Sequence, residues 1–134
     1  MKIKDAAVSR GKLANDALFS PCIISATKNI GVSDIGCTIQ NSWNVTAAYT
    51  LTQAVSTTLP MGAEIAFLRA ASTESQVTSI VSSGVRFRQM GETTDYKNKT
   101  LKIADLLGIV AIRKVATDNT NGDLWVIIGN VEVV

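Results

Sequence analysis

The sequence predicts an all-β fold, a small antiparallel sandwich or barrel-like domain preceded by a short, partly helical arm. Three observations predict it. Period-2 alternation of apolar and polar residues recurs from residue 22 onward, helix-period segments are nearly missing after residue 30, and Ser and Thr are abundant between short apolar runs. The boundary falls at Pro21, dividing an arm (1–21) from an all-β domain (22–134).

The arm reads as two echoing pieces, Lys2-Ile3-Lys4-Asp5-Ala6-Ala7-Val8 and Lys12-Leu13-Ala14-Asn15-Asp16-Ala17-Leu18. Ser9 can cap a brief helix over 10–16, which Gly11 weakens, and Phe19-Ser20-Pro21 ends it because the residue before proline disfavours helix. So short a stretch does not fold alone. Ile3, Val8, Leu13 and Leu18 are the candidates for packing it onto a partner.

In the domain, Trp43, Val45, Ala47, Tyr49 and Leu51 alternate with polar or small residues and predict a strand over nine residues. Residues 55–59 predict a short strand closed by Pro60-Met61-Gly62. Residues 63–70 are apolar on both faces, as a central strand must be. Residues 76–82 follow as a Thr/Ser/Val strand. Val85 and Phe87 alternate with Arg86 and Arg88, which places the two arginines on a solvated face. Residues 91–98 form a polar loop and 103–107 a single helical turn. The strongest apolar runs, 106–116 and 124–128, flank Asp118-Asn119-Thr120-Asn121-Gly122-Asp123, a hairpin turn by its Asn-Gly pair. The sum is about eight short strands, counted from these runs. Trp43 and Trp125 both sit in apolar alternation and are assigned to the core rather than to sugar platforms.

Composition narrows the chemistry. The 134 residues are 46% hydrophobic, 18% charged and 5% aromatic, which excludes a disordered charged tail. No apolar run approaches the roughly 18 residues that cross a bilayer, and no apolar signal core follows Lys2 and Lys4. The expectation is a soluble chain without membrane insertion. With no histidine, Ser-His-Asp and Cys-His nucleophile systems and histidine-ligated zinc are closed to it. The two cysteines, Cys22 and Cys37, could pair, but the reading favours small buried side chains.

Weaker motifs fail on spacing. Ser9-Arg10-Gly11-Lys12 matches a Ser-x-x-Lys pattern without its companion motifs. The 118–123 segment lacks the sixth-position glycine of a calcium loop, since Gly122 is fifth. Glu64, Glu74, Glu92 and Asp95 show no spacing that implies a glycosidase pair. The Asn-x-Thr sequons at Asn44 and Asn98 matter only in a secreted eukaryotic chain. No enzyme, cofactor or metal is therefore expected. A net charge of +2, with few aromatics near the basic residues, argues against nucleic acid. Arg86, Arg88 and Tyr96 are the candidate surface contacts for a glycan ligand.

The arm, Ile3-Lys4-Asp5-Ala6-Ala7-Val8-Ser9-Arg10-Gly11-Lys12-Leu13-Ala14, resembles the connector of tailed-bacteriophage tail-fibre and appendage proteins, of the type I-x-D-G-A-V-T-x-A-K-L-A. Ala6 stands where that connector has glycine and Gly11 where it has alanine. The domain is similar to the β modules that follow, through Tyr49-Thr50-Leu51-Thr52, Thr58-Leu59-Pro60-Met61-Gly62-Ala63, the Val81–Val85 stretch and the closing Leu124-Trp125-Val126-Ile127-Ile128-Gly129. The resemblance implies a virion structural protein, assembled in the host cytoplasm. It implies a homotrimer docked through its arm to a capsid or tail protein, as a tail appendage or as a head fibre decorating the capsid. A carbohydrate-binding module for host attachment is the alternative.

Overall fold

The computed structural model describes residues 22–134. The arm, with Ile3, Val8, Leu13 and Leu18, lies outside the described residues.

Among the described residues, twelve strands form two sheets packed face to face, with no closed barrel. The strands are β1 (Cys22–Ile24), β2 (Lys28–Asn29), β3 (Thr38–Gln40), β4 (Ala47–Thr52), β5 (Glu64–Leu68), β6 (Thr78–Ser83), β7 (Arg86–Gln89), β8 (Tyr96–Lys97), β9 (Thr100–Ile103), β10 (Ile109–Ala116), β11 (Leu124–Ile128) and β12 (Val131–Val133). A one-turn helix, α1 (Gln53–Ser56), follows β4 directly, capped by the Thr52 hydroxyl accepting from the Val55 amide at 3.2 Å. The larger sheet runs β1-β3-β5-β10-β11-β7-β8 and the smaller β12-β9-β6-β4-β2.

The sandwich is mixed, which corrects the antiparallel expectation. Pairs β1–β3, β3–β5, β2–β4, β4–β6 and β7–β11 are parallel. The cause is the route of the chain: β1 to β6 alternate strictly between the two sheets, so each return to a sheet arrives in the direction of the last visit. Hairpins enter only later, at β7–β8 and at β10–β11.

Several local expectations hold. Residues 64–68 are central, between β3 and β10. In β4, Ala47, Tyr49 and Leu51 point inward, as their alternation predicts. Trp125 is fully buried in β11. Others are corrected. The strand predicted from Trp43 begins only at Ala47, because Asn44 takes φ 57° and turns the chain, and Trp43 is left 59% exposed instead of in the core. Residues 53–56 are helical where a strand from 55 was expected. The 103–107 segment is the end of β9 and a turn, with Leu107 at φ 55°. The 91–98 loop contains β8.

The core between the sheets is aliphatic with few aromatics. Ile39, Ile65, Phe67, Ile112, Trp125 and Ile127 from the larger sheet meet Tyr49, Leu51, Ile80, Leu101 and Ile103 from the smaller. Tyr49 and Phe67 stack across the interface with ring centroids 5.8 Å apart, and the Tyr49 hydroxyl donates to the Ser25 carbonyl at 2.9 Å. Burial pushes the Tyr49 phenol up to about 12.

Candidate functional site

The most concentrated chemistry in the domain is a buried polar cluster below the 118–123 turn. β10 inserts Lys114 inward in the row of Trp125 and Phe87, where an apolar residue would be expected. Its ammonium donates to the Ser56 carbonyl at 2.7 Å and the Leu59 carbonyl at 2.9 Å, and lies 3.2 Å from Asp123 Oδ2. The same carboxylate oxygen accepts from the Ser56 hydroxyl at 2.6 Å, and Oδ1 accepts from the Asp118 amide at 2.8 Å. The Trp125 indole N–H donates to Ser56 Oγ at 2.9 Å, and the Asp123 amide donates to Gln53 Oε1 at 2.8 Å. Burial acts to raise the Asp123 carboxyl, but Ser56, the Asp118 amide, Gln53 and Lys114 outweigh it and bring it down to about 2.

Serine, lysine and aspartate at these distances resemble a nucleophile with its base only in composition. A general base must have a lone pair to accept a proton. Lys114 Nζ is surrounded by three acceptors, the Ser56 and Leu59 carbonyls and the Asp123 carboxylate, and serves here as a donor. Ser56 and Asp123 are buried to 0% exposure, out of reach of a substrate. The cluster does structural work: it fastens α1 to β10 and to the turn before β11. Sequence reasoning took Asp123 as an ordinary turn residue. An acidic residue just before the Leu-Trp-Val-Ile-Ile run, facing a lysine within the other strongly apolar run, was the signal that could have found the pair.

A second brace closes the far end of the sandwich. Arg69, just after β5, is fully buried. Its guanidinium donates to the carbonyls of Gln76 (2.9 Å), Ile103 (3.0 Å), Ala104 (3.2 Å) and Glu74 (3.3 Å), and pairs with the Glu74 carboxylate at 3.3 Å. Beside it, Asn41 exchanges hydrogen bonds with both backbone groups of Ala70 at 2.8 Å and accepts from the Thr78 hydroxyl at 2.7 Å. Asn44 adds its side-chain oxygen to the Ser72 amide and hydroxyl. Loops 41–46 and 70–77 are thereby locked together, with Trp43 standing out from them.

Of the predicted surface contacts, Arg86 and Arg88 do lie on the outward face of β7, with Tyr96 opposite Phe87 on β8. They are not free cations. Arg86 bridges Asp95 at 3.1 Å, Asp118 at 3.5 Å and the Gly122 carbonyl at 2.8 Å, and Arg88 holds Asp95 at 2.6 Å. The Arg88 hydrogen bond holds the Asp95 carboxyl below its usual range, and the amides of Asn121 and Thr120 do the same for Asp118. Tyr96 is half-buried against the core. The three residues are brought together, and the two arginines brace the 91–98 and 118–123 loops. The two sequon asparagines are turn residues at φ 57° and 56°, and Asn98 accepts from the Gly84 amide at 2.8 Å. Cys37 carries a free, half-buried thiol that donates to the Ser33 carbonyl, so it is less enclosed than expected. Among the described residues, no three His, Cys, Asp or Glu side chains gather as a metal site.

The two outer faces of the sandwich differ in character. On the smaller sheet the outward rows are Asn29–Thr50–Val81–Thr100 and Ala48–Ser79–Lys102–Glu132, a polar surface. On the larger sheet the corresponding rows are Ile24–Gln40–Leu68–Ile109 and Thr38–Ala66–Ala111–Ile128, with Val126 and Leu124 beyond them. Ile24 is 65% and Ile109 64% exposed.

No protein-family model, curated protein or solved structure matches the chain.

Proposed function

We propose that the chain is a non-enzymatic structural component of a phage virion. In this reading residues 1–21 dock to a capsid or tail protein, and the β domain self-associates as a trimer that projects as a capsid fibre, decoration or tail appendage. The observation that carries the structural role is the contrast between the outer faces: one is dressed for water, the other exposes isoleucines on a broad sheet, as in a subunit that meets its own kind or a larger assembly. The interior supports it, since its buried charges are spent on bracing loops. Light scattering on the purified chain tests self-association, with roughly 43 kDa expected from three chains of 14.2 kDa. Immunogold labelling of released phage particles tests the location, and unlabelled particles would overturn the virion reading.

The second reading, a carbohydrate-binding host-attachment module, is favoured by one observation: the exposed Trp43 indole on the locked loop pair. It moves the sugar contact from Arg86, Arg88 and Tyr96 to Trp43. A glycan array on which Trp43→Ala abolishes binding would support it.

A further inference from the structure

We infer that the outer face of the larger sheet, centred on Ala111 and flanked by Ile109 and Ile128, is the surface through which copies of this chain pack on one another. The inference rests on the self-association in the reading above and assigns it a surface.

Strand registry makes the apolar positions contiguous. Leu68 faces Ile109 across β5–β10, and Ala66, Ala111 and Ile128 lie in one line across β5, β10 and β11. Ile24 extends the patch on β1, by way of Gln40. With strands about 4.8 Å apart and outward rows about 6.8 Å apart, five strands by these two rows cover about 330 Å². A specific interface takes about 800 Å² per partner, so this patch would be its apolar centre and not the whole of it.

Three features select a second copy as the occupant. The surface is a broad, gently twisted sheet, and small Ala66 and Ala111 at its centre leave room for apolar side chains to interdigitate, as sheets packed about 10 Å apart require. The bordering row carries Glu64 and Arg113 side by side, 3.6 Å apart and each about half exposed. Around a three-fold axis, the arginine of one copy can meet the glutamate of the next. Finally, lateral growth through the sheet edges is poorly provided for, because β1 has three residues and β8 two, so the face rather than the edge offers the area.

The test compares the wild-type chain with Ile109→Lys/Ile128→Lys, whose side chains point outward and are not needed by the core. Thr50→Lys/Thr100→Lys, on the outer face of the smaller sheet, is the matched control. By light scattering at about 100 µM, wild type and control are expected to run at a multiple of 14.2 kDa and the isoleucine variant at 14.2 kDa, with association weakened at least about 100-fold. Circular dichroism verifies that the variant is folded. If it is not, Ala111→Cys in a chain with Cys22 and Cys37 changed to serine reads the same surface, its thiol being shielded from a bulky maleimide in the oligomer and open on dilution. A folded isoleucine variant that keeps the oligomeric mass, or an Ala111→Cys thiol equally open in both states, overturns this assignment and leaves self-association standing. A monomeric wild type overturns both.

Discussion

Replacing Asp123 with asparagine removes the carboxylate 3.2 Å from the buried Lys114 ammonium and, among the described residues, leaves that charge with two carbonyl oxygens. At 3.2 Å, an effective dielectric of about 20 gives an attraction of about 5 kcal/mol. Stripping one partner from a buried pair costs about 3–5 kcal/mol, because the remaining charge stays desolvated. The carboxyl's own titration yields a second estimate. A drop from 3.8 to about 2 is worth about 2.5 kcal/mol. The folded value lies below the unfolded one, so this stability is fully present above pH 4 and is lost as pH falls toward 2. Substitution costs more than protonation because asparagine turns an amide donor or a weaker acceptor toward the ammonium. Urea unfolding of wild type and Asp123→Asn, followed by far-ultraviolet circular dichroism, reads both effects. The variant should lose about 3–5 kcal/mol at pH 7 and lack this group's share of the acid sensitivity. In a cycle with Lys114→Met, the double variant should cost at least about 1 kcal/mol less than the sum of the singles. A variant within about 1 kcal/mol of wild type at pH 7 would refute the claim that the pair is a brace.

Other perturbations follow from the same geometry. Tyr49 should ionise late in an alkaline titration at 295 nm, near 12, and Tyr49→Phe should remove that step. Because its folded value is raised, the stability it contributes is intact below pH 10 and lost as pH climbs through about 12. Gly122→Ala should destabilise by more than about 2 kcal/mol in urea, since Gly122 sits at φ 97° and a Cβ there would collide with the Gly84 carbonyl oxygen. Trp125→Ala should cost about 3–5 kcal/mol, whereas Trp43→Ala should cost under about 1, and equal losses would contradict the burial described for the two rings. Arg69→Met should release loop 70–77, seen as faster amide hydrogen exchange there and little change in β10.

The elements legible in the sequence are those whose partners do not matter. Tyr49 and Leu51 announce an inward face by alternation alone, and residues 64–68, apolar on both sides, announce a central strand. The alternation misleads at Trp43 and Val45 because a period-2 pattern carries no mark where a single left-handed residue, Asn44, breaks the backbone direction. Val55 read as strand because β-branched residues favour it, yet the Thr52 cap and the Lys114 contact to the Ser56 carbonyl hold that turn helical. Parallel pairing was invisible for a different reason: nothing local in Thr38–Gln40 states that its neighbours are residues 22–24 and 66–68. The buried ion pair joins residues nine apart across a turn, and its third member, Ser56, arrives from 67 residues away. Arg86 and Arg88 were placed on the right face, but their acids, Asp95 and Asp118, come from separate loops.

The order in which the larger sheet is laid down has a bearing on synthesis. An interior strand, β5, is bordered on one side by β3, already made, and on the other by β10, which the ribosome supplies more than forty residues later. Until residues 109–116 emerge, that edge of β5 has no hydrogen-bonding neighbour. Growing chains on one message therefore pass through a stage that invites pairing between nascent neighbours, and a chain terminated early would carry that sticky edge permanently. The two halves of the larger sheet, β1-β3-β5 and β7-β8, are joined only once the β10–β11 hairpin is delivered between them.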